Sequence, residues 1–540
     1  MLSVRVILAI WGTSAAAAGA ELTVTLREAD QPVAAAVRLH DAAGNLFVPE
    51  SALDLSSLGF HYTASDLIHY ADWKSTRVRS QDPHFGSAFF RAAHPPGTGC
   101  FFVTGGFRVE VPPGRYTLVV TRGLEYRPVE RTLEISGAQS VAIALERWVD
   151  MAERGWYSGD AHVHAARPSP ATDATILAWA AAEDVRVVNV LRMGDARETF
   201  YEQYGYGAAG TVTRDGRGLI PGQEDPRTAG LGHTLHLGLA APERDGPAYY
   251  DYRPVFTRAR AGGALSGFAH VGRRRWFFAA DRGLTLAAPA GQADFAEIAE
   301  MGYIGVGLWH EFLNLGFRLT AMAGSDVPWG GTIGGTRVYA QLEGPFTPAR
   351  WLEAVRRGRT FVTTGPMLEF TVNGQGPGSI LALPPGASVR VRARAWGGTA
   401  ATRPAKLKLV AFGRTVQETT GEFLEWETTA ERSLWLSAQA ETNRQPLMDA
   451  PGYFAGAVST PVYLEVAGEP SRDRERLPKL LAARLQSLDA IESWLDAPPP
   501  PEGGPGGRES GAARDASARQ IRTEVARARA WYRDLARSQP

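Results

Sequence analysis

Trp156-Tyr157-Ser158-Gly159-Asp160-Ala161-His162-Val163-His164 reads as an extended strand that ends in two histidines. In a strand, residues i and i+2 project to the same side, so His162 and His164 present their imidazoles together, as two ligands of one metal would. Alone, such a pair also fits two solvent-facing histidines. The chain that follows bears on the choice. Residues 175–183 read as a helix and 185–191 as a buried strand. Further strands are predicted over 219–223, 233–239, 264–270 and 319–323. Helices are predicted over 306–315, stopped by Gly316, and 348–357, ending at Gly358. Short strands alternating with helices imply an α/β layer fold, open or closed into a barrel.

Four more metal-binding residue types fall at or just past the ends of these strands. Glu224 closes Gly222-Gln223-Glu224, His233 opens the next strand, His270 ends Gly267-Phe268-Ala269-His270, and Asp326 follows Ala323-Gly324-Ser325. Parallel α/β folds place their chemistry at the carboxyl ends of strands. Together the six residues offer four imidazoles and two carboxylates, the inventory of a mononuclear or dinuclear hydrolytic site. The one cysteine, Cys100, rules out a thiolate cluster and an internal disulfide. There is no Gly-x-Ser-x-Gly, phosphate-binding Walker loop or Cys-x-x-Cys, so a serine or cysteine nucleophile has no support. Arg192, Arg227 and Arg337 are each placed either to meet a substrate anion or to hold a carboxylate, with the second role favoured for Arg192. His236 lies three residues after His233 and therefore points to the opposite face, and His310 sits in an apolar helical stretch; both read as packing residues. His61, His69, His84 and His94 follow no ligand spacing.

The pieces GDAHVH (159–164), GQE, GH, the strand ending in His270, AGSD, and the run from TRVYA to GRTFVTTGPMLEFTVNGQGPG together resemble the PHP (polymerase and histidinol phosphatase) metallohydrolase superfamily, in its carbaryl-hydrolase-like branch, over residues 156–378. That resemblance implies a distorted seven-stranded β/α barrel with up to three metals, used on phosphoester or amide and carbamate bonds. Three departures lower the count. Met193-Gly194-Asp195 stands where the family has Thr-Asp-His, Asp326-Val327-Pro328 where it has Asp-x-His, and no acidic residue occurs over 165–169. Two divalent ions (Zn, Mn or Fe) are therefore expected. His162, His164 and Asp326 would hold one, His233 and His270 the other, with Glu224 bridging. Asp195 is either a ligand or an orienting residue. Asp326, Asp195 or a histidine would accept the proton from water, and Arg227 or Arg337 would stabilise developing charge.

The rest of the chain frames this region. Residues 21–150 alternate as strands at both ends, with a strand–turn–strand at 107–120 similar to the small β-sandwich modules of carboxypeptidase regulatory type. Residues 366–467 return to strand alternation, and 468–540 hold two helices joined by a Pro/Gly linker at 497–511. Residues 1–20, with Arg5, a short apolar run and Ala18-Gly19-Ala20, read as a secretory signal with Glu21 as the mature start, the alternative being an uncleaved anchor. The expected location is periplasmic or secreted, with no membrane span in the mature chain. Lys+Arg and Asp+Glu are 57 each, so no nucleic-acid partner is expected. The expected substrate is a small or polymer-derived molecule whose ester, carbamate, amide or phosphoester bond is hydrolysed. The rival expectation is an extracellular binding protein on a degenerate metal barrel.

Overall fold

The computed structural model describes residues 19–58, 100–272, 279–328, 332–446, 451–498 and 510–538. Most of the expected signal segment, the histidines from His61 to His94 and most of the expected linker lie outside them. The protein is a mixed α/β molecule built from several sheets. Seven strands position the site: β1 Trp156–Val163, β2 Val187–Gly194, β3 Arg217–Thr228, β4 Gly232–Leu237, β5 Leu265–Phe268, β6 Phe295–Glu300 and β7 Thr320–Gly324. β1, β2 and β3 are parallel, β4 is antiparallel to both β3 and β5, and β5, β6 and β7 are parallel again. Just past its end, β7 meets β1 through a parallel bridge between Val163 and Val327.

Helices α1 Ala171–Ala182, α2 Tyr252–Ala261, α3 Ala280–Ala287, α4 Gly307–Asn314 and α5 Pro348–Arg356 accompany these strands. Strands covered on both faces lose their in–out alternation. Accordingly every residue of β2, β6 and β7 is buried. α5 begins where the sequence says it should. Thr347 accepts the Arg350 N–H at 3.2 Å, and Pro348 sits in the first turn, where its missing N–H does no harm.

Sequence reasoning missed β6, α2 and α3. The β6 sequence Phe-Ala-Glu-Ile-Ala-Glu forms a strand by pairing in parallel with β5 and β7, and it buries Glu297 and Glu300 against histidines.

Before this region, two four-stranded sheets share one apolar core. Ala20–Glu28 pairs with Gly106–Val111 and Gln139–Ala144, and Ala34–Asp41 with Phe101–Thr104 and Gly114–Thr121. Leu22, Val24, Leu26 and Ile143 face Val37, Leu39, Leu118 and Val120.

After it, Arg337–Gln341 runs antiparallel to the start of β1 and to Thr360–Thr363. Thr360–Thr363 in turn pairs with Gly456–Ser459, so hydrogen bonding passes without a break into the strands of the third region. A separate three-stranded sheet, Met367–Val372, Ala387–Trp396 and Phe423–Ala430, packs nearby. The last helices, α6 Leu477–Asp496 and α7 Gly511–Arg537, insert Leu488, Ile491, Ile521, Val525 and Tyr532 into the core that also holds α3 and α4. No helix among the described residues is long and apolar enough to cross a membrane.

Candidate metal centre

Asp160 fixes the end of β1. Its Oδ1 accepts the N–H groups of His162 and Ser325, both at 3.0 Å, and its Oδ2 accepts the Gly334 N–H at 2.7 Å and the Ser325 hydroxyl. This ties β1 to the turn after β7 and sets where His162 and His164 stand. His162 Nδ1 lies 3.1 Å from Glu297 Oε1, and His164 Nδ1 lies 3.3 Å from the Leu191 carbonyl. Both partners only accept, so in the neutral rings the proton sits on Nδ1 and each Nε2 shows a lone pair. Those Nε2 atoms are 3.1 Å apart. Two facing ring nitrogens at that distance are held by a shared proton or by a cation between them, and the neighbouring carboxylates favour positive charge there. Asp326 Oδ1 stands 3.4 and 3.5 Å from the same two nitrogens. Ligands bonded to one ion at ~2.0–2.2 Å lie roughly 3.0–3.5 Å from each other, which this donor set matches.

A second group adjoins the first. His233 Nδ1 is 2.7 Å and His270 Nε2 3.4 Å from Glu224 Oε1. Glu224 Oε2 faces the other way, 3.4 Å from His164 Nε2 and 3.8 Å from His162 Nε2. His270 Nδ1 donates to Glu300 Oε2 at 2.9 Å, and Glu300 also accepts the Tyr303 hydroxyl at 2.9 Å. Buried sets able to hold an ion include His162–His164–Asp326 and Glu224–His233–His270.

His270 (φ 59°) and Asp326 (φ 53°) both occupy the left-handed region just after their strands. Such backbone strain at non-glycine residues clusters at functional sites.

Electrostatics reflect the crowding. Burial alone would raise the Glu224 carboxyl, but Arg227, His233, His162 and His164 hold it well below the usual range. Burial opposes protonation of His270, yet Glu300 and Glu224 bring it up to about 9. Burial pushes His233 down to about 3 against the pull of Glu224.

The remaining candidates are placed as follows. Arg227 and Glu224 lie either side of a bulge in the β3–β4 pairing. Such a bulge re-aims side chains. Arg227 Nε is 3.3 Å from Glu224 Oε2, while its buried Nη1 has no hydrogen-bond partner among the described residues. Asp195 is outside the metal-competent sets; its Oδ1 accepts the N–H groups of Arg197 and Glu198 at 2.8 and 3.1 Å. Arg192 faces Asp225 at 3.4 Å. Arg337 is not at the His–carboxylate groups; its guanidinium donates to the carbonyls of Gly334, Asp184 and Glu183. His236 bonds Ser266 and packs on Phe256, and His310 packs between Trp309 and Trp435. Burial pushes both of these imidazoles down to about 3.

Sequence reasoning missed Glu297 and Glu300. The available signal was two carboxylates in an apolar run, since buried Glu is rare unless paired.

No family model matches the chain, and no curated protein matches it. Among solved structures, it is similar to PsfC from Pseudomonas syringae PB-5123, with 17% identity and a TM-score of 0.27 over 37% of this chain and 88% of that one. It is also similar to the lesion-specific endonuclease PfuEndoQ from Pyrococcus furiosus, with 14% identity and a TM-score of 0.24 over 37% of this chain and 56% of that one. The buried His/Asp/Glu clusters are the feature of the chain itself that is suited to a metal ion.

Proposed function

We propose that the chain is an exported metal-dependent hydrolase that binds two divalent ions. The observation that carries this reading is Glu224, whose two oxygens face two different imidazole pairs. His162, His164 and Asp326 would hold one ion and His233 and His270 the other, with Glu224 shared. We read β1 to β7 as a distorted PHP-type barrel between two β-sandwich-like units, in keeping with the motifs at 159–164, 222–224 and 323–326.

Bound divalent ions supply Lewis acidity, acidifying water and polarising the scissile group. The chain's own residues do the rest. Glu297 and Glu300 fix the Nδ1–H tautomers of His162 and His270, which keeps each Nε2 free to ligate. Arg227 offers its unpartnered Nη1 to negative charge on substrate. Asp326, beside both Nε2 atoms, is the best-placed carboxylate to take a proton, because the Asp195 Oδ1 is occupied by backbone N–H groups. The bond is an ester, carbamate, amide or phosphoester of a small or polymer-derived substrate.

The test is elemental analysis of the purified chain, followed by phosphomonoesters, phosphodiesters, aryl esters and carbamates assayed with Zn, Mn and Fe. Two ions per chain and turnover of one class are expected. Bound metal without turnover would favour a non-catalytic binding protein, and no bound metal would remove the reading.

A further inference from the structure

The loop after the strand Gly114–Thr121 closes against the central region at the end of the strands opposite to the metal groups. Gly123 (φ 57°) permits the approach: a Cβ there would lie 2.1 Å from the Glu183 carbonyl oxygen. Around Asp184, the next residue, four guanidiniums gather. Arg147 donates to Asp184 Oδ2 at 3.0 Å and to Glu125 Oε2 at 2.9 Å, and lies 3.4 Å from Glu28. It thereby engages four carboxylates, since Asp150 Oδ2 also lies 4.0 Å from its Nε. Arg217 reaches Asp184 Oδ1 at 3.5 Å and Arg122 approaches it only to 4.0 Å. Arg186 acts on the same carboxylate. Burial and Asp184 push the Glu125 carboxyl up to about 7, although it accepts from Arg147, the Met151 N–H and the Tyr339 hydroxyl.

The guanidiniums of the seam are nevertheless not all satisfied. Arg122 is only 8% exposed, yet its Nε and Nη1 have no hydrogen-bond partner among the described residues; nor has the buried Nε of Arg217. Burial lowers the Arg217 guanidinium, and Arg186 and Arg122 add to the effect by repulsion. A buried guanidinium N–H left unpaired is unfavourable, whereas a charge-assisted bond to an oxyanion is among the strongest available to it.

We propose that Arg122 and Arg217, with Arg186 beside them, form a binding site for a small oxyanion such as sulfate or phosphate at the seam between the amino-terminal sheets and the central region. The anion supplies the acceptors that Asp184 cannot, and holds the two regions together. This is independent of the metal reading.

Thermal unfolding of the full chain in chelator, with sulfate or phosphate set against chloride at equal ionic strength, tests it. A saturable rise in Tm is expected for wild type and for His164→Ala, which weakens the metal groups, and its loss is expected in Arg122→Gln. Should Arg122→Gln fail to fold, Arg217→Gln serves in its place. Selenate soaked into crystals is expected to scatter anomalously within hydrogen-bond reach of Arg122 and Arg217. An equal rise with chloride, an unchanged response in the variants, or a protein carboxylate filling the position would overturn the proposal.

Discussion

Glu224 is the residue whose two oxygens face both imidazole pairs of the candidate metal centre. Replacing it with Ala is expected to lower metal content by more than one equivalent, whereas His233→Ala is expected to lower it by about one. Elemental analysis of the two variants checks this, and equal losses would show that Glu224 does not bridge. Glu297 acts one layer further out. Because it fixes the ring of His162, Glu297→Ala is expected to weaken metal binding by roughly 10–100-fold. Competition with a chelator measures that.

His236 and His310 make a different kind of statement. His236 is buried and His310 half-buried, and burial keeps each neutral in the folded chain down to about pH 3. In the unfolded chain each takes up a proton near pH 6.5. Between these values the unfolded state binds more protons, so stability falls as pH falls from 6.5 towards 3, by up to ~1.4 kcal/mol per pH unit for each histidine. Urea midpoints from pH 7 to pH 4.5 are expected to drop, and His310→Phe to flatten the slope.

Five of the six residues from His162 to Asp326 were legible because they stand at or just past a strand end; Glu224, expected just after a strand, lies inside β3 at its bulge. Glu297 and Glu300 were not legible, because their burial depends on histidines 27 or more residues away in sequence.

At the level of elements, the close approach of β7 to β1 decides the geometry of the site. A Cβ on Gly324 would lie 2.3 Å from the His162 Cβ and 2.7 Å from Glu297 Oε1. Gly324→Ala must push these apart, with an expected destabilisation of about 1–3 kcal/mol and weakened metal binding. Denaturant unfolding and metal titration of the variant check both; unchanged metal affinity would mean that the strand yields without moving His162. Strands with a long apolar run, such as β2 and β7, were readable from hydrophobicity alone. β6 was not, since its carboxylates imitate a solvated helix face. α2 and α3 were also missed. Their short sequences carry Pro254 in α2 and Gly283 in α3, and it is packing against the core, not local propensity, that makes them helical.

For the whole molecule, the carboxyl-terminal helices are part of the core. Arg484 donates to Glu311 on α4 at 2.9 Å, and Tyr532 donates to the Thr285 carbonyl on α3. Leu480, Leu481, Leu488 and Ile491 are buried in the same core, each contributing about 1.5–3 kcal/mol. Removing residues 471–540 is expected to give aggregating protein without a cooperative transition, read by calorimetry and light scattering. The sequence shows these helices clearly by their amphipathic pattern, but not what they pack against, because a helix pattern does not name its partner.

The ladder from β1 through Arg337–Gln341 and Thr360–Thr363 to Gly456–Ser459 has a consequence for anyone who would move this site elsewhere. A gene fragment ending near residue 365 would carry Thr360–Thr363 as a bare edge, with main-chain donors and acceptors open to the next copy. A chimera that borrows the central strands must therefore also borrow the strand at 456–459, although some ninety residues of chain separate the two.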